Sequence, residues 1–89
     1  MAARGGGPSK GATETAEELC VLFGANFRHA RLKAQLTQAD VAALTGIQQP
    51  YISDIENGLQ NLTISTMVTL ARAVGTDVRA LLRRSSSRS

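Results

Sequence analysis

Between Leu36 and Gly58 the chain reads LTQADVAALTGIQQPYISDIENG, and the order of helix starts and stops within it leaves little freedom. Thr37 followed three residues later by Asp40 has the spacing of a capping box: the hydroxyl takes up an orphan N–H, and the acid favours the positive helix end. Val41, Ala42 and Leu44 then place apolar side chains mostly on one side. Gly46 can adopt the left-handed backbone that ends one helix and turns the chain into the next. The second helix starts at about Gln48 and covers roughly Gln49 to Asn57, because Pro50 is tolerated only in a first turn, where its missing N–H would be unpaired anyway. Ile52 and Ile55, with Ile47 just before them, give it an inward stripe, and Gly58 supplies the stop. Gln48, Gln49, Tyr51, Ser53 and Asp54 are left pointing elsewhere.

Two glutamines beside a helix N-terminus carry a definite chemistry. A carboxamide gives and takes one hydrogen bond each with adenine N6 and N7 in the major groove, and the helix end offers free N–H donors to phosphate. TQADVAALTGIQQPYISDIENG resembles the helix-turn-helix of the lambda repressor and Cro family, also called the XRE family. FRHAR and the later Leu36-Thr37-Gln38 resemble that family's first helix and its entry to the second. Asn61-Leu62-Thr63-Ile64 and LARAVG resemble its fourth helix. The likeness runs from about Phe23 to Leu82, and its weight lies in several spaced elements matching together.

Composition agrees with one small helical domain. The 89 residues, 43% hydrophobic, can bury a single modest core. Helix formers dominate, no run of alternating β-branched residues appears, and aromatics make up only 3%, so an all-α domain with an aliphatic core is expected. The resemblance makes it a compact five-helix domain over residues 16–83, between tails at 1–15 and 84–89. The glycine-rich start, MAARGGGPSKGA, lacks the apolar run of a secretion signal, and no stretch approaches the roughly 20 apolar residues of a membrane span. Thr15 and Glu18 form a second capping box, ahead of Leu19, Leu22, Phe23 and Phe27. Gly24 interrupts that helix: either the helix starts near it, or another element packs closely there.

One cysteine and one histidine exclude a disulfide scaffold or a metal cluster. Cys20, on an apolar stretch, reads as a buried or partly buried thiol compatible with a reducing cytoplasm. His29 reads as an exposed helix residue. There is no nucleophile with a paired base, no carboxylate pair on one face and no phosphate loop, so enzymatic activity is not expected, nor a cofactor or small-molecule ligand.

The formal charge of +3 is unevenly spread. Arg4, Lys10, Arg83, Arg84 and Arg88 lie in or beside the tails. Between Leu19 and Leu82, Arg28, Arg31, Lys33, Arg72 and Arg79 meet Asp40, Asp54, Glu56 and Asp77, leaving the middle nearly neutral. Affinity for DNA would then rest on helix ends, amides and a few first-helix bases.

The resemblance assigns roles residue by residue. It implies that Arg31 and Glu56 form an ion pair between the first and third helices. It implies phosphate contacts for Gln38, Asn57 and Asn61, although Asn57 reads equally as a helix C-terminal residue beside Gly58; Arg28 reads equally as a phosphate ligand or part of a solvated face. Gln48 matches the cap of the recognition helix and Gln49 its first position, where the family reads a base. Ser53 and Asp54 match the outward face that in the family approaches bases, and Tyr51, which reads as a contact to a thymine methyl, a contact to a phosphate or a surface-packed ring, is counted with them in the base-reading set. Asp54 departs from a general grip on DNA: a carboxylate repels phosphate and only accepts hydrogen bonds, which suits cytosine N4 or a partner arginine.

Further on, Thr63 caps a helix carrying Ile64, Met67, Val68, Leu70, Ala71 and Val74, ended by Gly75, and Asp77 caps a short helix with Val78, Leu81 and Leu82. The last three are expected either to complete the core or to form an exposed apolar contact surface. The resemblance implies a homodimer through this end, two recognition helices one DNA turn apart and a two-fold related operator. The expected function is a cytoplasmic, sequence-specific double-stranded DNA-binding regulator, as a repressor. Restriction-modification controllers and autoregulatory antitoxins of the same fold are alternatives. A protein-interaction module without DNA binding is the alternative of another class.

Overall fold

In the computed structural model, described here for residues 15–84, five helices follow in chain order: α1 (Ala16–Lys33), α2 (Gln38–Thr45), α3 (Gln49–Glu56), α4 (Ile64–Ala73) and α5 (Val78–Leu81). The tails expected at 1–15 and 84–89 fall almost wholly outside the described residues. α1 packs on α3 and α5, α2 on α3 and α4, and α4 on α5. No strand occurs among the described residues.

The caps lie where short polar side chains precede apolar runs. Thr15 and Thr37 each close a reciprocal capping box, with Glu18 and Asp40 respectively. The Thr37 N–H donates to the Asp40 carboxylate, which holds that acid below the usual carboxylate range. Thr63 and Asp77 each accept one N–H, from Thr66 and Ala80. α5, a single turn, is finished from outside: Asn26 on α1 donates both amide hydrogens, to the carbonyls of Leu81 and Arg83.

The core departs from an aliphatic one at its centre. Phe23 and Phe27, fully buried, stack with ring centroids 6.2 Å apart and planes within 2°, and Val41, Ile52, Ile55, Met67, Leu70, Ala71, Val74 and Leu81 close around them. Rarity of aromatics in the chain did not keep them out of the middle, since two residues four apart on one helix suffice to fill it. Three apolar residues of α2 and α4 lie outside this core. Leu44 is 64% exposed and Ile64 65%, and Val68 lies at the edge of the fold. Helices of eight and ten residues bury a narrow stripe, Val41 in α2 and Met67, Leu70 and Ala71 in α4, so flanking hydrophobes are left on the rim. Leu81 is 3% exposed and belongs to the core of its own chain, whereas Val78 and Leu82 are half-buried.

Gly24 lies inside a continuous α1, and the second of its two sequence readings is the one observed: another element packs closely there. A Cβ on it would overlap the carbonyl oxygen of Ile55. The glycine therefore sets how near α1 approaches α3. Gly24→Ala is expected to lower unfolding free energy by about 1 to 3 kcal/mol, toward the upper end because backbone rather than a flexible side chain must yield. Chemical denaturation of both proteins measures this.

Candidate nucleic-acid interface

α2 and α3 are joined through Gly46, which has φ +78°, with the Gly46 N–H bonded to the Ala42 carbonyl. At the other end of α3, Gly58 at φ +74° closes a six-residue turn: Leu59 N–H reaches the Asp54 carbonyl and Gly58 N–H the Ile55 carbonyl. These two turns fix which side chains α3 turns outward. Ile52, Ile55 and Glu56 are buried, so at 100° per residue the opposite face carries Pro50, Ser53, Asp54 and Asn57, whereas Gln49, seven residues before Glu56 and so on nearly the same side as it, is exposed because it stands at the head of the helix. Gln48, Gln49 and Pro50 are exposed, Tyr51, Ser53 and Asp54 half-buried.

The start of α3 is chemically open. Gln48 is the N-cap residue but makes no capping bond with its side chain. Among the described residues neither its carboxamide nor that of Gln49 has a hydrogen-bond partner, so both keep a full set of donors and acceptors. The backbone is less generous than the sequence implies. Pro50 has no N–H, and Tyr51 N–H is used by the Gln48 carbonyl, which leaves the Gln49 N–H as the open donor of this first turn. At α2, where the Thr37 hydroxyl takes the Asp40 N–H, the N–H groups of Gln38 and Ala39 have no partner among the described residues.

Beneath this surface, one carboxylate ties three helices together. Arg31 from α1 donates Nε to Glu56 Oε2 at 2.6 Å and Nη2 to Oε1 at 3.0 Å, and its Nη1 caps the Leu36 carbonyl at 2.8 Å. Both side chains of the pair are more than nine-tenths buried. The hydrogen bond to Glu56 holds the Arg31 pKa above its ordinary value against the opposing effect of burial. Gln38, at the head of α2, donates Nε2 to the same Oε1 at 3.1 Å, and the exposed Arg28 guanidinium lies 3.9 Å from it. Gln38 is thus engaged inside the fold through one amide hydrogen. The other stays available beside the open N–H groups of α2, the arrangement an anion requires.

The remaining candidates are placed less simply. Asn57, the C-cap residue of α3, turns its amide back to the Ser53 carbonyl at 3.0 Å. Asn61 is exposed in the loop before α4. Leu81 is inaccessible to a partner; Val78 lies beside Val68, Ala71 and Arg72 along a shallow groove between α4 and α5. Two residues escaped the sequence reading. Pro50 was read only as a helix start, yet its ring forms part of the outward face, where an apolar surface suits a thymine methyl. Gln60 reaches back across the Gly58 turn and donates Nε2 to Asp54 Oδ2 at 3.3 Å. No local pattern signals a contact between residues six apart across a turn.

Breaking the Arg31–Glu56 pair leaves a buried charge without its counterion. Arg31→Ala is expected to destabilise the domain by about 3 to 5 kcal/mol, and Arg31→Met with Glu56→Leu to recover most of that; denaturant midpoints of the three proteins check both statements.

The helix-turn-helix family model matches residues 27–81. The chain is 43% identical over 54 residues to the HTH-type transcriptional regulator y4dJ of Sinorhizobium fredii, a match covering 61% of this chain and 70% of that protein. It is 35% identical over 63 residues to the control protein C.SmaI of Serratia marcescens, covering 71% of this chain and 75% of the other. Among solved structures, the restriction-modification controller protein C.AhdI of Aeromonas hydrophila superposes with a TM-score of 0.66 at 31% identity, over 70% of this chain and 94% of that one. The clp gene regulator ClgR of C. glutamicum has the same fold, with a TM-score of 0.69 at 23% identity over 72% and 82% of the two chains. This chain belongs to the helix-turn-helix family of DNA-binding transcriptional regulators of the XRE, or Cro/C1, type.

Proposed function

We propose that the protein binds a specific double-stranded DNA operator as a homodimer and represses transcription in the cytoplasm. The observation that carries the reading is the open head of α3, where two glutamines are exposed and unengaged among the described residues, together with the open N–H groups that begin α2. Gln49 reads a base, with Gln48, Ser53 and Asp54 contributing around it and Tyr51 at the edge. Gln38 holds a phosphate through its free amide hydrogen and backbone N–H, and Arg28, Asn57 and Asn61 border the same path. Repression is favoured because a domain of this size acts most simply by occupying a promoter. For the dimer, Val78 and Leu82 supply the accessible apolar surface, extended by Val68. A two-fold pair would set the ridges roughly 34 to 36 Å apart, matching half-sites one turn apart.

A second reading has specific support. C.SmaI and C.BamHI of Bacillus amyloliquefaciens, the latter 33% identical over 63 residues, are control proteins, and C.AhdI is a restriction-modification controller. These likenesses favour a restriction-modification controller as the second form of regulator. Its genes would then flank a nuclease and a methyltransferase.

Titration against duplex fragments of the upstream region, at two salt concentrations, tests the DNA reading. Sequence-selective binding that weakens as salt rises is expected; indistinguishable binding to random duplex favours a protein-interaction module. Gln49→Ala is expected to cost about 1 to 3 kcal/mol of discrimination at its base pair, while Gln38→Ala weakens binding on all sequences alike. Unchanged operator affinity of Gln49→Ala removes that residue from the reading set. Leu82→Glu is expected to give monomers by sedimentation with the melting transition retained, and an unchanged mass moves the interface elsewhere.

A further inference from the structure

Asp54 is the least expected residue on the outward face of α3, since a surface that approaches a polyanion gains nothing from a bare carboxylate. Its surroundings give it a use. Gln60 Nε2 occupies Oδ2 at 3.3 Å, and the side chain that makes this bond comes from the loop after Gly58, whose backbone is itself pinned to α3 by Leu59 N–H on the Asp54 carbonyl. The carboxylate is therefore held at both its main chain and one oxygen. Among the described residues Oδ1 has no hydrogen-bond partner, and no arginine or lysine forms an ion pair with the group. The Gln60 amide is neutral, so it orients the carboxylate without cancelling its charge.

An oriented anion moved into a groove must meet a donor or lose its solvation uncompensated. Of the base edges exposed in the major groove, guanine presents the acceptors N7 and O6, and thymine the acceptor O4 with a methyl group. Adenine pairs its N6 donor with an adjacent N7 acceptor that repels a second carboxylate oxygen. Cytosine N4 is a donor with no acceptor beside it on the same base. We infer that Asp54 selects a cytosine in each operator half-site, and that Gln60 is the positioning residue that aims its carboxylate. The inference rests on the DNA-binding reading above and specifies what that surface recognises.

Selection from a random duplex pool, performed with the full chain and with Asp54→Asn and Gln60→Ala, tests it. The unaltered protein returns a motif with one fixed C·G pair in each half-site, and replacing that cytosine by thymine weakens binding about fivefold or more. Asp54→Asn, whose carboxamide matches adenine N6 and N7, moves that single position to A·T and leaves the others as they were. Gln60→Ala lowers discrimination at that position severalfold, with the rest of the motif and the melting temperature unchanged; a merely structural loop residue would alter binding to all sequences together. An identical motif for Asp54→Asn, or a uniform gain in affinity across sequences as expected from removing a charge that only repels phosphate, overturns the inference and leaves the DNA-binding reading intact. A pool that yields no motif even for the unaltered protein overturns both.

Discussion

The geometry of the interface depends on the carboxylate of Glu56, buried at the meeting point of three helices. Arg31 comes to it from α1 and Gln38 from α2, while Glu56 itself is the last residue of α3. A charge in that position is strongly disfavoured unless paired, so the helices that carry its partners cannot drift apart without exposing it. The net stabilisation from such a pair is small. Its importance is geometric: it sets where the open N-terminus of α2 lies relative to the ridge of α3, the two features a duplex would meet together.

The second constraint is the close approach of α1 to α3 at Gly24, against the Ile55 carbonyl. With α3 held from behind by this contact and by the Phe23–Phe27 stack, its outward residues owe little to their own packing. Gln48, Gln49 and Pro50 can vary without unsettling the core, because none contributes to it. The face of α3 that supports the core is thus separate from the outward face proposed to read DNA, so residues on the latter can change while the fold stays the same. The chain's near-neutral middle fits the same proposal, since without a strong positive field recognition would fall to directed hydrogen bonds and helix ends.

Much of this was legible in the residues themselves. Thr15, Thr37, Thr63 and Asp77 announce helix starts, and Gly46 and Gly58 announce ends, because capping and left-handed turns are local chemistry with fixed spacing. Orientation was less accessible. Apolarity alone does not say that Leu44, Ile64 and Val68 lie outside the core, because short helices have room to bury only the centre of an apolar arc. Leu81 and Leu82 could not be told apart in sequence, although one lies under α1 and the other at the rim. Contacts between distant elements were invisible without a resemblance to suggest them: the second sequence reading at Gly24 had no named neighbour, and the Gln38–Glu56 and Asp54–Gln60 bonds follow from how turns fold the chain back.

The central claim is that the heads of α2 and α3 together form the DNA-contacting surface. Nuclear magnetic resonance titration of the full chain with a selected duplex tests it directly, by following side-chain amide signals of Gln38, Gln48 and Gln49 alongside the backbone. The account predicts that these signals and the first turns of α2 and α3 shift at stoichiometric DNA. Shifts confined to α4 and α5, with the glutamine amides unmoved, would contradict it.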